Sequence, residues 1–154
     1  MTGELPIRRR GKAYGYVVSD RRLLVFREPE FPEVRIQVPG GTLEPGETPE
    51  VGAVRELTEE LGRSDFALGE PVGTQTFAFD KDGTRHIHDR HYFRIAPLGA
   101  WPERWTHADE TPDLGGPPVR MEFFWMRLED PALSLFAGHD ALLPQLKRLL
   151  GGGP

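Results

Sequence analysis

The chain contains no cysteine among its 154 residues. Disulfide bonds and thiolate metal sites are therefore excluded, and the composition suits a cytoplasmic protein. No apolar run approaches the roughly 20 residues that a membrane-spanning helix requires. The charged first residues, MTGELPIRRRGK, precede no apolar stretch, so a secretory signal is not expected. We expect neither a membrane span nor a membrane partner.

Basic residues are in the minority, with 19 Lys and Arg against 24 Asp and Glu and a net charge of −5. Proteins that bind nucleic acid usually carry a basic face, so nucleic acid is not the expected partner. The compact basic run Arg8–Arg10 is interpreted as a solvated segment, with a phosphate contact as the alternative. Internal repeats are also missing. The length predicts one domain over residues 1–154, with 151–154 (GGGP) as a flexible tail.

Extended and helical patterns both occur, which predicts a mixed α/β domain. A hairpin is expected around Asp20–Arg21, between strands at 13–19 and 22–27. Residues 98–118 are rich in Pro, Gly and acids and predict a long loop. Further strands are expected at 35–38, 70–79, 84–96 and 120–127. A C-terminal helix is predicted by leucines at helical spacing, namely Leu142, Leu143, Leu146, Leu149 and Leu150.

The clearest helix is predicted over residues 49–61. Thr48 is a favoured N-cap residue, Pro49 suits the first helical position, and Gly62 suits the C-terminal end. At about 100° per residue, three glutamates lie within an arc of about 100°. These are Glu56, Glu59 and Glu60. The opposite side is expected to be buried and carries Val51, Val54, Leu57 and Leu61.

Such an acidic face has two interpretations. Clusters of this kind are most often solvated surface, although like charges at this spacing cost a helix roughly 0.2–0.5 kcal/mol per pair. The alternative is a metal site, because magnesium prefers oxygen ligands and takes carboxylates together with phosphate oxygens. A preceding glycine turn and the single base, Arg55, favour the metal site. The spacing alone leaves both interpretations open.

The segment GGTLEPGETPEVGAVRELTEELGR, residues 40–63, resembles the Nudix box, G-x5-E-x7-R-E-U-x-E-E-x-G-U, in which U is a bulky apolar residue. One position departs from the pattern, because Arg63 stands where an apolar residue is usual. That position ends the packing of helix and loop and is not part of the chemistry. The matching positions are Gly41, Glu47, Arg55, Glu56, Leu57, Glu59, Glu60 and Gly62.

The resemblance implies an α/β/α sandwich with a mixed sheet, a central catalytic helix and a C-terminal helix. It also implies metal binding by Glu59 and Glu60, with Glu56 as a further ligand or as the proton acceptor. The Gly40 carbonyl is implied as an additional ligand. Arg55 would orient the glutamates through charge-assisted hydrogen bonds. Glu47 would support the junction of loop and helix.

The implied reaction is hydrolysis of a diphosphate linkage in a nucleotide-like small molecule, with Mg²⁺ as cofactor and Mn²⁺ as a substitute. ADP-ribose hydrolases often carry a proline where this chain has Ala78, and diadenosine-polyphosphate hydrolases often carry a tyrosine where it has Asp80 and Lys81. The absence of both markers favours, by elimination, a nucleoside triphosphate or a related nucleotide as substrate. The alternatives are a catalytically silent nucleotide-binding module and an RNA 5′-end pyrophosphohydrolase. A homodimer is implied by the resemblance only.

A general base outside the box is expected on a late strand or loop. Glu122 is the first candidate, and Asp109 and Glu110 are the others. His86 and His88 would share one strand face. A metal site is one interpretation of this pair, and polar strand or cleft residues are the favoured one. Trp101 and Trp105 either stack on a base or pack in the protein, with packing favoured.

Overall fold

The computed structural model describes residues 4–110 and 116–151. Residues 152–154 of the predicted tail and residues 111–115 of the predicted 98–118 loop therefore lie outside the described residues. In the described part, no helix is long and apolar enough to cross a membrane. The strands and α-helices in chain order are β1 (Ile7–Ser19), β2 (Arg22–Arg27), β3 (Gly40–Thr42), α1 (Pro49–Leu61), β4 (Phe66–Lys81), β5 (Thr84–Pro97), β6 (Arg104–Asp109), β7 (Val119–Arg127) and α2 (Leu143–Leu149).

The strands form a mixed sheet in the order β4-β5-β1-β2-β7-β6, with β3 added beside β1. β1 runs parallel to β5, and the remaining pairs are antiparallel. β1 changes partners along its length, since residues 12–14 pair with β3 and residues 18–19 pair with β2. This change places β3, and the loop after it, beside the centre of the sheet.

The predicted β1–β2 hairpin is present, with Val18 paired to Leu23 and Ser19 to Arg22. Its two turn residues, Asp20 and Arg21, have φ angles of 52° and 55°. Positive φ at both central positions is typical of a type I′ turn, whose twist matches that of the flanking strands.

The prediction of a strand at residues 35–38 is wrong. Only Gln37 forms a bridge there, exchanging both of its backbone hydrogen bonds with Phe26 at 3.0 Å. Pro39 follows and has no amide hydrogen with which to continue a ladder. The strand instead forms directly after Pro39, at Gly40–Thr42, where the chain pairs with β1.

The predicted loop over 98–118 also needs correction, because residues 104–109 form β6. This edge strand pairs with β7 along its whole length, from Arg104 opposite Phe124 to Asp109 opposite Val119. Pro102 precedes the strand and Pro117 follows it. The proline content of the whole segment therefore predicted a loop, although the six residues of β6 contain no proline.

Two apolar clusters lie on opposite faces of the sheet. The helix-side cluster joins α1 to the sheet through Leu57 and Leu61 and includes Ala13, Val17, Leu24, Phe26, Ala53, Phe66, Phe93, Ile95, Met121 and Phe123. The C-terminal cluster joins α2 to the other face through Leu143 and Leu146 and includes Tyr14, Tyr16, Leu23, Val25, Val38, Tyr92, Leu128, Leu135 and Leu142. The architecture is therefore the expected α/β/α sandwich.

Candidate active site

The start of α1 is fixed by its own sequence. The Thr48 side chain accepts a hydrogen bond from the Val51 amide at 3.2 Å, as an N-cap residue does. In the turn before the helix, the Glu44 amide donates to Glu47 Oε1 at 2.9 Å. At the other end, Gly62 has a φ of 70°, and its amide donates to the Thr58 carbonyl. Both ends of α1 therefore lie where the sequence predicts them.

Arg55 lies at the centre of the site. Its Nε and Nη2 donate to the two carboxylate oxygens of Glu47 at 2.7 and 2.8 Å. Its Nη1 donates to Glu56 Oε1 at 2.9 Å and lies 3.7 Å from Glu59 Oε1. Nη2 also donates to the Thr42 carbonyl at 3.1 Å. One guanidinium therefore ties β3, the loop and the helix together.

The hydrogen bonds of this network shift the pKa values of its members. The hydrogen bonds from Arg55, assisted by the Glu44 amide, lower the pKa of the Glu47 carboxyl to about 2. The pKa of Arg55 is raised in turn by its bond to Glu47 and by Glu56. Bidentate pairing of guanidinium and carboxylate is among the stronger hydrogen-bond arrangements in proteins. Glu47 therefore stays charged and anchors Arg55.

The two glycines before the helix let the backbone approach the carboxylates. A Cβ at Gly41 would lie only 2.1 Å from Glu56 Oε2, so any side chain there would displace that carboxylate. The Gly40 amide donates to Glu60 Oε1 at 3.1 Å. β3 therefore holds Glu56 and Glu60 from the sheet side.

The orientation of α1 differs from the prediction. Leu57 and Leu61 are buried as expected, but Val51 and Val54 are 60% and 41% exposed. The helix instead buries Gly52 and Ala53. Because Gly41 has no side chain, β3 approaches the acidic edge of the helix, and the buried stripe is turned toward that edge. The Glu56 side chain is consequently only 14% exposed, whereas that of Glu59 is 55% exposed.

The donor set suits a hard divalent cation, because carboxylate and carbonyl oxygens are the ligands that such ions prefer, and Glu56 and Glu60 lie next to the Gly40–Gly41 backbone. Arg55 and the Gly40 amide hold these two carboxylates. Over residues 4–110 and 116–151, no group of three or more His, Asp or Glu side chains is already arranged around one metal position. Joint binding of a cation by the three glutamates therefore requires their side chains to turn.

Arg63, the residue that departs from the box, packs on an aromatic ring. Its guanidinium carbon lies 4.4 Å from the Trp101 ring centroid, and its Nε donates to Asp65 Oδ1 at 2.7 Å. This ion pair lowers the pKa of the Asp65 carboxyl. The aliphatic stem and flat head of an arginine can cover apolar surface. Arg63 thus takes over the packing role of the usual apolar residue.

The structure does not bring Glu122, the first candidate for the base, to the helix carboxylates. In β7, Met121 and Phe123 face the helix-side cluster, so Glu122 points to the opposite face. There its Oε1 lies 3.6 Å from Arg27 Nε. Side-chain alternation along a strand is the physical reason.

The remaining candidates are placed as follows. Asp109 ends β6, and the exposed Glu110 follows it. His86 and His88 share one face of β5, each with its ring 5.0–5.1 Å from that of Phe79. Burial and the neighbouring cations lower the pKa of His88 to about 4.

Both loop tryptophans are used in packing. Trp101 Nε1 donates to the Asp65 carbonyl and Trp105 Nε1 to the Leu61 carbonyl, each at 3.2 Å. Sequence reasoning missed that Trp105 and His107 contact the backbone at the end of α1, because both lie in the segment predicted as a loop. The Thr42 carbonyl was missed as well, since a backbone acceptor leaves no signal in the side-chain pattern.

Comparison with known proteins identifies the family. The NUDIX domain family matches residues 9–146 of this chain, and the chain belongs to that family. The fold class and the enzyme class expected from the sequence, a Nudix pyrophosphohydrolase, are therefore confirmed. No curated protein sequence gives a significant match.

Solved structures share the fold at low sequence identity. The MutT NUDIX hydrolase from Burkholderia pseudomallei is 20% identical with a TM-score of 0.59, over 90% of this chain and 98% of that one. The MutT protein from Methanosarcina mazei Go1 is 18% identical with a TM-score of 0.61, over 96% and 97% of the two chains. A UDP-X diphosphatase is 14% identical with a TM-score of 0.61, over 95% of this chain and 65% of that one.

Proposed function

We propose that this chain hydrolyses the diphosphate linkage of a nucleoside triphosphate or a related nucleotide with Mg²⁺ as cofactor and Mn²⁺ as a substitute. The observation that carries the proposal is the Arg55 network, in which one guanidinium contacts Glu47, Glu56 and the Thr42 carbonyl. A purely solvated acidic face has no need of such a partly buried anchor. The substrate class rests on elimination from the sequence.

Glu59 and Glu60 would hold the cation, joined by Glu56 and by the Gly40 carbonyl. When bound, the cation neutralises phosphate oxygens and lowers the pKa of an attacking water. Glu56 is the residue we assign as proton acceptor when it does not ligate, because its side chain is largely shielded from solvent and oriented by Arg55. Arg55 is assigned a positioning role, since both edges of its guanidinium are already engaged by the protein.

The test is a screen for phosphate and nucleoside monophosphate release with Mg²⁺ and with Mn²⁺. It compares nucleoside triphosphates, nucleotide sugars, ADP-ribose, dinucleoside polyphosphates, coenzyme A and 5′-triphosphate RNA. Glu59→Gln should abolish turnover because it removes a charged ligand from an exposed position. Glu50→Gln is the matched control, since Glu50 is an exposed glutamate in the first turn of the same helix.

Turnover of one substrate class that is lost in Glu59→Gln and kept in Glu50→Gln supports the proposal. Full activity in Glu59→Gln would overturn the assigned site. Tight nucleotide binding without turnover in any condition would favour the nucleotide-binding module. Selective turnover of RNA would favour the 5′-end hydrolase.

A further inference from the structure

The last turn of the catalytic helix is joined to the edge strand β6 through backbone carbonyls. A helix leaves its final carbonyl groups without partners inside the helix. His107 Nε2 lies 3.0 Å from the Glu59 carbonyl, and Trp105 Nε1 donates to the Leu61 carbonyl at 3.2 Å. A carbonyl oxygen only accepts, so His107 must donate from Nε2. Two side chains of β6 therefore cap the end of α1.

Both capping groups come from the same face of one strand. Trp105 and His107 are two residues apart, so their side chains project to the same side. Gly62 allows the close approach, because a Cβ at that position would lie 2.6 Å from His107 Nδ1. Gly62 therefore has two roles: its φ of 70° ends the helix, and its missing side chain leaves room for the imidazole.

The capping strand is itself firmly held. Every residue of β6 has a partner in β7, and the Trp105 ring stacks on that of Phe123 with centroids 5.0 Å apart and an interplanar angle of 17°. Trp105 also meets Trp101 edge to face at 5.7 Å. Phe123 is only 1% exposed and belongs to the helix-side cluster. The cap is therefore connected to the core and does not depend on an isolated surface contact.

We propose that His107 and Trp105 are positioning residues that hold the last turn of α1, and with it the backbone that carries the Glu59 and Glu60 side chains, in the position from which these carboxylates bind the cation. The inference rests on the proposed function only in taking these glutamates as metal ligands. The bond from His107 is made to the backbone of Glu59 itself. Groups that orient metal ligands typically change metal affinity or activity by about 10–100-fold when they are removed.

The central variant is His107→Phe, which keeps a ring of similar size and removes the donor. We expect Mn²⁺ binding, followed by titration calorimetry, to weaken about tenfold. Half-maximal activation by Mg²⁺ should shift to higher concentration by a similar factor. His107→Gln places an N–H donor at similar reach and should restore both values to within about twofold. A glutamine amide can donate a hydrogen bond, but it cannot take up and release a proton as an imidazole does. Rescue by His107→Gln therefore indicates a positioning role and not proton transfer.

Thr106→Val is the matched control, because Thr106 is exposed on the opposite face of the same strand. It should leave Mn²⁺ affinity unchanged. Trp105→Phe is the second variant, since it keeps ring packing and removes one donor, and it should weaken Mn²⁺ binding in the same direction. Hydrogen exchange gives an independent readout: the amides of residues 59–62 should exchange faster in His107→Phe than in wild type.

The outcomes separate the two proposals. Wild-type Mn²⁺ affinity and unchanged exchange at residues 59–62 in His107→Phe would overturn the positioning role. Equal weakening in His107→Phe, His107→Gln and Thr106→Val would also overturn it, because general disturbance of β6 would then explain the loss. If the wild-type chain turned over no nucleotide, the proposed function would fail, whereas Mn²⁺ binding and exchange would still decide the role of His107.

Discussion

Acid should destabilise this protein in part through a buried histidine, His139. The residue is 4% exposed, and its ring is packed 4.6 Å from that of Tyr14. Its Nδ1 accepts a hydrogen bond from the Val38 amide at 3.4 Å, which requires that nitrogen to be unprotonated. Burial, with smaller contributions from Arg90 and Lys12, lowers the pKa of His139 to about 3.

The sign and size of the effect follow from proton linkage. An unfolded histidine binds a proton below a pKa of about 6.5, whereas folded His139 does not do so until about pH 3. Stability is therefore lost as the pH falls from about 6.5 toward 3. Each unit in that window corresponds to about 1.4 kcal/mol, so the change from about pH 7 to about pH 5 removes about 2 kcal/mol. That is a substantial part of the 5–15 kcal/mol typical of a domain.

Urea unfolding at about pH 7 and about pH 5 measures this loss in wild type and in His139→Asn. Asparagine cannot titrate and still offers an oxygen to the Val38 amide. The variant should be less stable at neutral pH, but it should lose about 2 kcal/mol less than wild type between the two pH values. Other titrating groups are common to both chains and cancel in the comparison. An equal loss in both chains would refute the assignment of His139 as an acid-sensitive group.

Two glycine variants and one core variant should behave differently from one another. Gly41→Ala should reduce turnover on the order of a hundredfold with a small loss of stability, because its Cβ displaces the Glu56 carboxylate. Gly40→Ala should lower the free energy of unfolding by about 1–3 kcal/mol in a urea assay, since its Cβ would lie 2.3 Å from the Ala13 carbonyl. Equal stability of Gly40→Ala and Gly41→Ala would contradict this contrast. Leu57→Ala should lose about 2–5 kcal/mol in the same assay, because Leu57 is fully buried, and a loss below about 1 kcal/mol would argue against the packing of α1.

The sequence determined the parts of the site that depend on local geometry. Helix period and capping chemistry act within a few residues, so Thr48 and Gly62 could be assigned from their neighbours alone. The same period places Glu56, Glu59 and Glu60 along one edge of α1. Gly41 matches a glycine position of the family pattern, and the structure supplies a physical reason for that glycine, because a Cβ there would meet the Glu56 carboxylate.

Tertiary structure decided which edge of α1 is buried and what holds its end. Val51 and Val54 are exposed because β3 approaches the helix from the acidic edge, and helix periodicity alone contains no information on that approach. Glu122 faces away from α1 because strand alternation fixes its side only once the face of β7 that meets the helix is known. The bonds from Trp105 and His107 join residues more than forty positions apart in sequence. Contacts at that separation arise from strand pairing and packing, so only the folded chain could show them.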